Sequence, residues 1–267
     1  MVSALRSLTL LAGAAFALAA CADPPPPATV EADVPSAGAS FTVDTDSLVI
    51  AEPALRYTVA IAYPQLRGSA GEPMSATLRA VNAAIRDSVQ ALADDVRPEA
   101  PPPGVDSPAT VVDVQGRVER SFVSDEVLSA MVSVSAYTGG AHGTPLFLPL
   151  TYDLRTGQPL TPADLFEPGT PWADTLAAWT ERTVLARLAT AQGLTREQAR
   201  ADFFAAGLDR IRAGDVAVTM GRDSLRVWVP PYQLSSYASG SFDVGVPYPV
   251  VRPVARPRSV LARRAAQ

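Results

Sequence analysis

Between residues 56 and 95 the spacing of apolar residues changes from two to between three and four, and that change fixes the first elements the chain can form. In RYTVAIAYPQL (56–66), Tyr57, Val59, Ile61 and Tyr63 alternate onto one face, the pattern of a half-buried strand, and Pro64 is expected to stop it. In SATLRAVNAAIRDSVQALADD, Leu78, Val81, Ile85, Val89 and Leu92 step by three or four, an amphipathic helix with its arginines and Asp87 outward. The prolines of PEAPPPGVDSP (98–108) then interrupt regular structure.

Two strands follow, VVDVQGRVERSF and EVLSAMVSVSAY, with a turn at Ser124 and Asp125. In the second, Leu128, Ala130, Val132 and Val134 share a buried face, while Ser129, Ser133 and Ser135 are expected to face away. LFLPLTYDL reads as a further strand, Thr156 and Gly157 as a tight turn, and LTPADLF as a short helix. Two helices are expected at PWADTLAAWTERTVLARLATAQ and TREQARADFFAAG. The first should bury Trp172, Leu176, Trp179, Thr183 and Ala186, and the second opens on a capping box of Thr195 and Gln198. A hairpin, DVAVTM and SLRVWVP around Gly221 to Asp223, leads through PPYQLSSYASG to a last strand in SFDVGVPY. This irregular alternation predicts an α+β fold: an N-terminal strand–helix module (41–97), a Pro-rich loop (98–108), then a mixed or antiparallel sheet packed against two helices (109–252). The Arg-rich tail (253–267) is expected to be frayed and solvated, with contact to an anionic lipid or wall polymer as the alternative.

The first twenty residues carry one charge, Arg6, and an apolar run that ends in small residues directly before Cys21, the order of a secretory leader (1–20). LAAC (18–21) fits a bacterial lipobox, in which the cysteine is acylated and becomes the new N-terminus. ADPPPPATVEADVPSAGAS then reads as a tether within a lipidated segment (21–40). No later stretch reaches the 18 or more uninterrupted apolar residues of a spanning helix. The expectation is a chain held to a lipid membrane through acylated Cys21, in the cell envelope, on the periplasmic face of an outer membrane or at the cell surface.

Charge and residue usage narrow the chemistry. Losing Arg6 with the leader would turn the net charge of −5 into −6, which disfavours a nucleic-acid partner. All 22 basic residues are arginine, so no lysine base or Schiff base is available, and the lone cysteine has no disulfide partner. The one histidine, His142, lies in YTGGAHGTP (137–145). Zinc sites use several His or Cys ligands, so neither metal nor cofactor is expected. Gly139, Gly140 and Gly143 suit a shaped turn with positive φ. A catalytic histidine needs an orienting carboxylate and a nucleophile, and the nearby Asp153, Ser135 and Thr138 are of common types, so no catalytic residue is assigned. The candidate ligand-binding residues are Tyr137, Thr138, His142, Pro231, Tyr232 and Tyr237: two stiff prolines precede Tyr232, and tyrosines are enriched at recognition surfaces. The alternative for PPYQLSSYASG is a rigid crossover whose tyrosines cap the core.

YTGGAHG, a strand ending YDLRTGQPLTPADLF, helices, and a hairpin leading to VPPYQLSSYASG together resemble the RsiV family of exported domains. YTVAIAYPQLRG with its helix resembles the module that precedes this domain in RsiV and in the PdaC deacetylase. The resemblance spans about residues 41–252 and implies a lysozyme-binding or peptidoglycan-facing role. Because neither a transmembrane helix nor a deacetylase domain is read in the sequence, signalling across the membrane and deacetylation are not carried over. The resulting expectation is a non-catalytic envelope binding module for a lysozyme-like protein or a wall glycan, with a hydrolase or deacetylase centred on His142 as the rival.

The anchoring expectation is checked by Cys21→Ser, which should release the protein from membranes or leave an unprocessed precursor. Unchanged fractionation and processing would refute it.

Overall fold

The computed structural model describes residues 41–69, 73–100 and 110–266. The leader, the tether with Cys21, and most of the Pro-rich loop lie outside the described residues. Five strands form one sheet in chain order: β1 (Phe41–Glu52), β2 (Tyr57–Gly68), β3 (Val112–Val123), β4 (Val127–Tyr137) and β5 (Thr144–Asp153). Neighbours are antiparallel except β2 and β3, which run parallel from Tyr57↔Val112 to Ile61↔Gly116. A parallel pair needs a crossover, and α1 (Ala76–Asp95) lies on it, capped where the Ser75 hydroxyl accepts from the Leu78 N–H. The α+β expectation holds. The division expected at 98–108 does not separate two cores, because β2 and β3 share a sheet across it.

In the first core Leu78, Val81, Ile85, Val89 and Ala93 of α1 pack on Tyr57, Val59, Ile61 and Tyr63 of β2 and on the inward residues of β3 and β4. The buried Tyr57 hydroxyl donates to the Ala93 carbonyl at 2.5 Å. Leu92, expected at the helix–sheet contact, is only partly buried. Pro64 does not stop β2, which runs to Gly68. The pairing with β3 ends at Ile61, so beyond it the inner edge of β2 has no strand beside it among the described residues. There Asn82 of α1 takes the place of a strand: its Oδ1 accepts from the Leu66 N–H and its Nδ2 donates to the Leu66 carbonyl, both at 2.8 Å. Residues two apart point the same way, so the missing N–H of Pro64 falls on that open edge, where no ladder bond is lost.

The second core is a three-stranded antiparallel sheet, β6 (Ala217–Met220), β7 (Ser224–Val229) and β8 (Phe242–Pro247), covered by helices. Before it come α2 (Pro162–Leu165), with its Thr161/Asp164 capping box, and α3 (Trp172–Gln192). The buried face of α3 is Leu176, Ala177, Thr180, Val184, Leu185 and Leu188; Thr183 and Ala186, expected on it, are half-buried. Trp172 and Trp179 edge this core. Trp172 stacks on Phe166 with centroids 4.7 Å apart, and the Trp179 indole N–H donates to the Gly245 carbonyl at 2.9 Å. The helix expected at TREQARADFFAAG is broken into α4 (Arg196–Ala199), capped by Thr195 and Gln198, and 3-10 turns, because the Phe204 N–H leaves for the Leu234 carbonyl. α5 (Leu208–Arg212) follows.

The two cores meet across β4. The first half of its outer face, Val127, Ser129 and Met131, is as buried as its inner face. Ser129, expected to face solvent, instead accepts the Met220 N–H at 2.7 Å and bonds the Thr151 hydroxyl at 2.7 Å. β3 reaches both cores by a register shift between Val118 and Arg120 that leaves Glu119 unpaired. This bulge resets the alternation, so Val118 and Val123 face the first core while Phe122 faces the second.

The tail is not frayed. After α6 (Tyr248–Val251), α7 (Val260–Arg264) buries Val260 and Leu261, and the Arg263 guanidinium reaches Glu126 at 2.8 Å. Tyr248, whose hydroxyl donates to the Gly221 carbonyl at 2.6 Å, is buried deeply enough to push its pKa up to about 12. Leu261→Ala should therefore lower the unfolding free energy by about 2 to 5 kcal/mol, as for other buried leucines. A urea midpoint unchanged from the parent would restore the solvated-tail reading.

Candidate functional site

The turn after β4 and the segment after β7 are about ninety residues apart in the chain, yet they meet at one point of the surface. Gly139 and Gly140 both have φ of 100°, a conformation that lets the chain leave β4 and fold back into β5 within a few residues. The Tyr137 hydroxyl braces this turn by donating to the Gly140 carbonyl at 3.1 Å. Gly143, expected to share this conformation, does not have positive φ; a Cβ there would sit 2.4 Å from the Ser135 hydroxyl oxygen, which would have to rotate away.

The second segment is seated by contacts that the sequence did not signal. The Gln233 side chain donates to the Gly207 carbonyl at 2.9 Å, and a Cβ on Gly207 would lie 1.8 Å from the Gln233 carbonyl oxygen. Leu234 is fully buried and accepts the Phe204 N–H. Between this anchor and Pro231, Tyr232 adopts φ 67°, an uncommon backbone for a bulky residue that costs on the order of 1 to 3 kcal/mol. The residue is 58% exposed.

Three of the six candidate ligand-binding residues thus form one cluster. The His142 ring stacks on Tyr237 with centroids 4.3 Å apart, Tyr232 and Tyr237 lie at 5.3 Å, and His142 and Tyr232 at 6.4 Å. The hydrogen-bond contact of His142 is Nδ1 to the Gly143 carbonyl oxygen at 3.1 Å, and among the described residues no carboxylate is bonded to it. Tyr137 and Thr138 stand apart from the rings, the first holding the turn and the second exposed. Among the described residues no group of three or more His, Cys, Asp or Glu is placed to hold a metal ion, and no helix is long and apolar enough to cross a membrane.

Beside the cluster runs a groove of about 540 Å³ between the outer face of the first sheet and the segment after β7. Gln115, Arg117 and Glu119 of β3, Ser133 and Ser135 of β4, and Pro145 and Phe147 of β5 line one side; Pro231, Tyr237, Gly240 and Ser241 line the other. Glu119, the extra residue of the bulge, pairs with Arg117 at 2.8 Å and accepts a hydrogen bond from the Ser133 hydroxyl. Ser133 and Ser135 of β4 read in the sequence as facing away from the first core. That they face a groove follows from where the second sheet packs.

Compared with known proteins, the chain matches no family model and no curated protein. Solved structures do match. A member of the DUF3298 family from Bacteroides fragilis is 17% identical over 86% of this chain and 100% of that one, with a TM-score of 0.51. A DUF3298 family protein from Pseudomonas aeruginosa PAO1 is 17% identical over 82% of this chain and 97% of that one, with a TM-score of 0.50. The fold is that of DUF3298 proteins. At this identity the likeness concerns the fold alone, and the site residues rest on the geometry described above.

The turn is tested by Gly140→Val. Beyond its chain neighbours, no described residue lies within 4 Å of a Cβ at Gly140, so the cost is backbone strain, about 1 to 3 kcal/mol. Denaturant titration should show that loss, and an unchanged midpoint would mean that the turn relaxes at no cost.

Proposed function

We propose that this protein is a non-catalytic binding module of the cell envelope, related to the RsiV-type exported domains and held to a membrane by an acylated Cys21. Its recognition surface is the three-ring cluster of His142, Tyr232 and Tyr237, and its partner is a lysozyme-like protein or a wall glycan. The observation that carries this reading is the assembly of exposed rings from two distant segments, at a backbone cost at Tyr232 that the core has no use for. Strained, outward-facing residues gather where function repays the strain. Flat rings with a polar tip contribute contact area with little side-chain entropy to lose. The surroundings of His142 also favour binding over catalysis. A general base needs a group that orients it and a proton within reach, whereas this imidazole is stacked on a tyrosine and contacts a carbonyl oxygen.

Capture of the purified protein on immobilised lysozyme and on insoluble peptidoglycan tests the proposal. Tyr232→Ala and Tyr237→Ala should each weaken capture by about 1 to 2 kcal/mol, roughly five- to thirty-fold, with the thermal midpoint held. Turnover of peptidoglycan or an acetylated glycan that is lost in His142→Ala, with the fold intact, would replace this reading with the hydrolase.

A further inference from the structure

The groove beside the rings has a chemistry of its own, and its register is set by the sheet. Gln115 faces Ser135 and Arg117 faces Ser133 across β3 and β4, so a carboxamide, a guanidinium and two hydroxyls stand in adjacent rows. Glu119, two residues beyond Arg117, stands at the bulge, where the register shift leaves it unpaired and gives the place opposite Met131 to Arg120. Bonds from Arg117 and Ser133 then fix the carboxylate at the groove wall. These groups supply donors and acceptors in alternation. Opposite them stands the Tyr237 ring, backed by His142, and the wall continues through Gly240 and Ser241 with little side-chain bulk.

We propose that this groove binds a short oligosaccharide, its hydroxyls on the Gln115, Arg117, Glu119, Ser133 and Ser135 floor and the C–H face of a sugar ring against Tyr237. The inference rests on the reading of this surface as a binding site and names its ligand class. A sugar hydroxyl donates and accepts at once, which suits a floor of mixed donors and acceptors, and a pyranose carries an apolar face that suits an exposed aromatic ring. The volume of about 540 Å³ falls within the roughly 300 to 1,000 Å³ of small-ligand sites. An extended peptide would seek free backbone groups on the floor, but β4 is paired on both sides by β3 and β5, so strand addition is closed to it there. A polyanion would meet Glu119 and a net charge of −5.

The test is calorimetric titration of the full chain with three probes: the β-1,4-linked tetramer of N-acetylglucosamine, cellotetraose and maltotetraose. At least one should give a saturable heat. Gln115→Ala and Arg117→Ala, both at exposed positions where the fold tolerates change, should each weaken that binding about tenfold, as expected for a lost bond to a charged or polar partner. Tyr237→Ala should weaken it by a similar factor. No saturable heat from any of the three probes, or binding indifferent to both floor variants, overturns the inference. Lysozyme or peptidoglycan capture that is lost in Tyr232→Ala alongside silent titrations would overturn the oligosaccharide and leave the binding module standing. Silence in both assays would remove both.

Discussion

The rest of the structure depends on β4 being buried on both faces. A strand with one wet face can alternate apolar and polar residues, but one between two cores must place a polar residue such as Ser129 where its hydroxyl is bonded, since an unbonded buried hydroxyl costs about 1 to 3 kcal/mol. The Met220 N–H and the Thr151 hydroxyl meet that need, and in doing so they join an edge of the second sheet to the middle of the first. The Phe147 and Trp228 rings, edge to face at 6.1 Å, add an apolar contact along the same seam. Where this seam ends, the outer face of β4 continues past Met131 to Ser133 and Ser135 uncovered, and the groove begins.

From that seam the geometry of the site follows. The turn at Gly139 and Gly140 belongs to the end of β4, and the segment that carries Tyr232 and Tyr237 belongs to the end of β7. Neither segment approaches the other through local bonding, and their rings meet because the two sheets are fixed relative to one another. The bulge at Glu119 links site and scaffold in a second way. It turns Phe122 toward one core and Val123 toward the other, and the residue it leaves unpaired carries a carboxylate that lines the groove. The cost of an unpaired residue in the ladder is offset by apolar burial on both sides.

The sequence alone determined much of the local structure, because local structure answers to period and capping. Alternation placed Tyr57, Val59, Ile61 and Tyr63 on one face; three-and-four spacing placed Leu78, Val81, Ile85 and Val89 on one helix stripe; the boxes at Thr161 and Thr195 started helices where their side chains close on the backbone. The glycine pair at 139 and 140 has the positive φ that its composition suggested. Only the tertiary structure decided what depends on residues far apart. Pro64 continues a strand because α1 supplies Asn82 at the edge that β3 leaves open. Ser129 is internal because a second sheet lands on it, and the arginine-rich tail is ordered because Val260, Leu261 and the Arg263–Glu126 pair dock it. His142 and the two tyrosines could each be singled out as residue types that suit recognition. That they form a single stack beside a polar groove is a fact of packing between two sheets, to which no spacing along the chain corresponds.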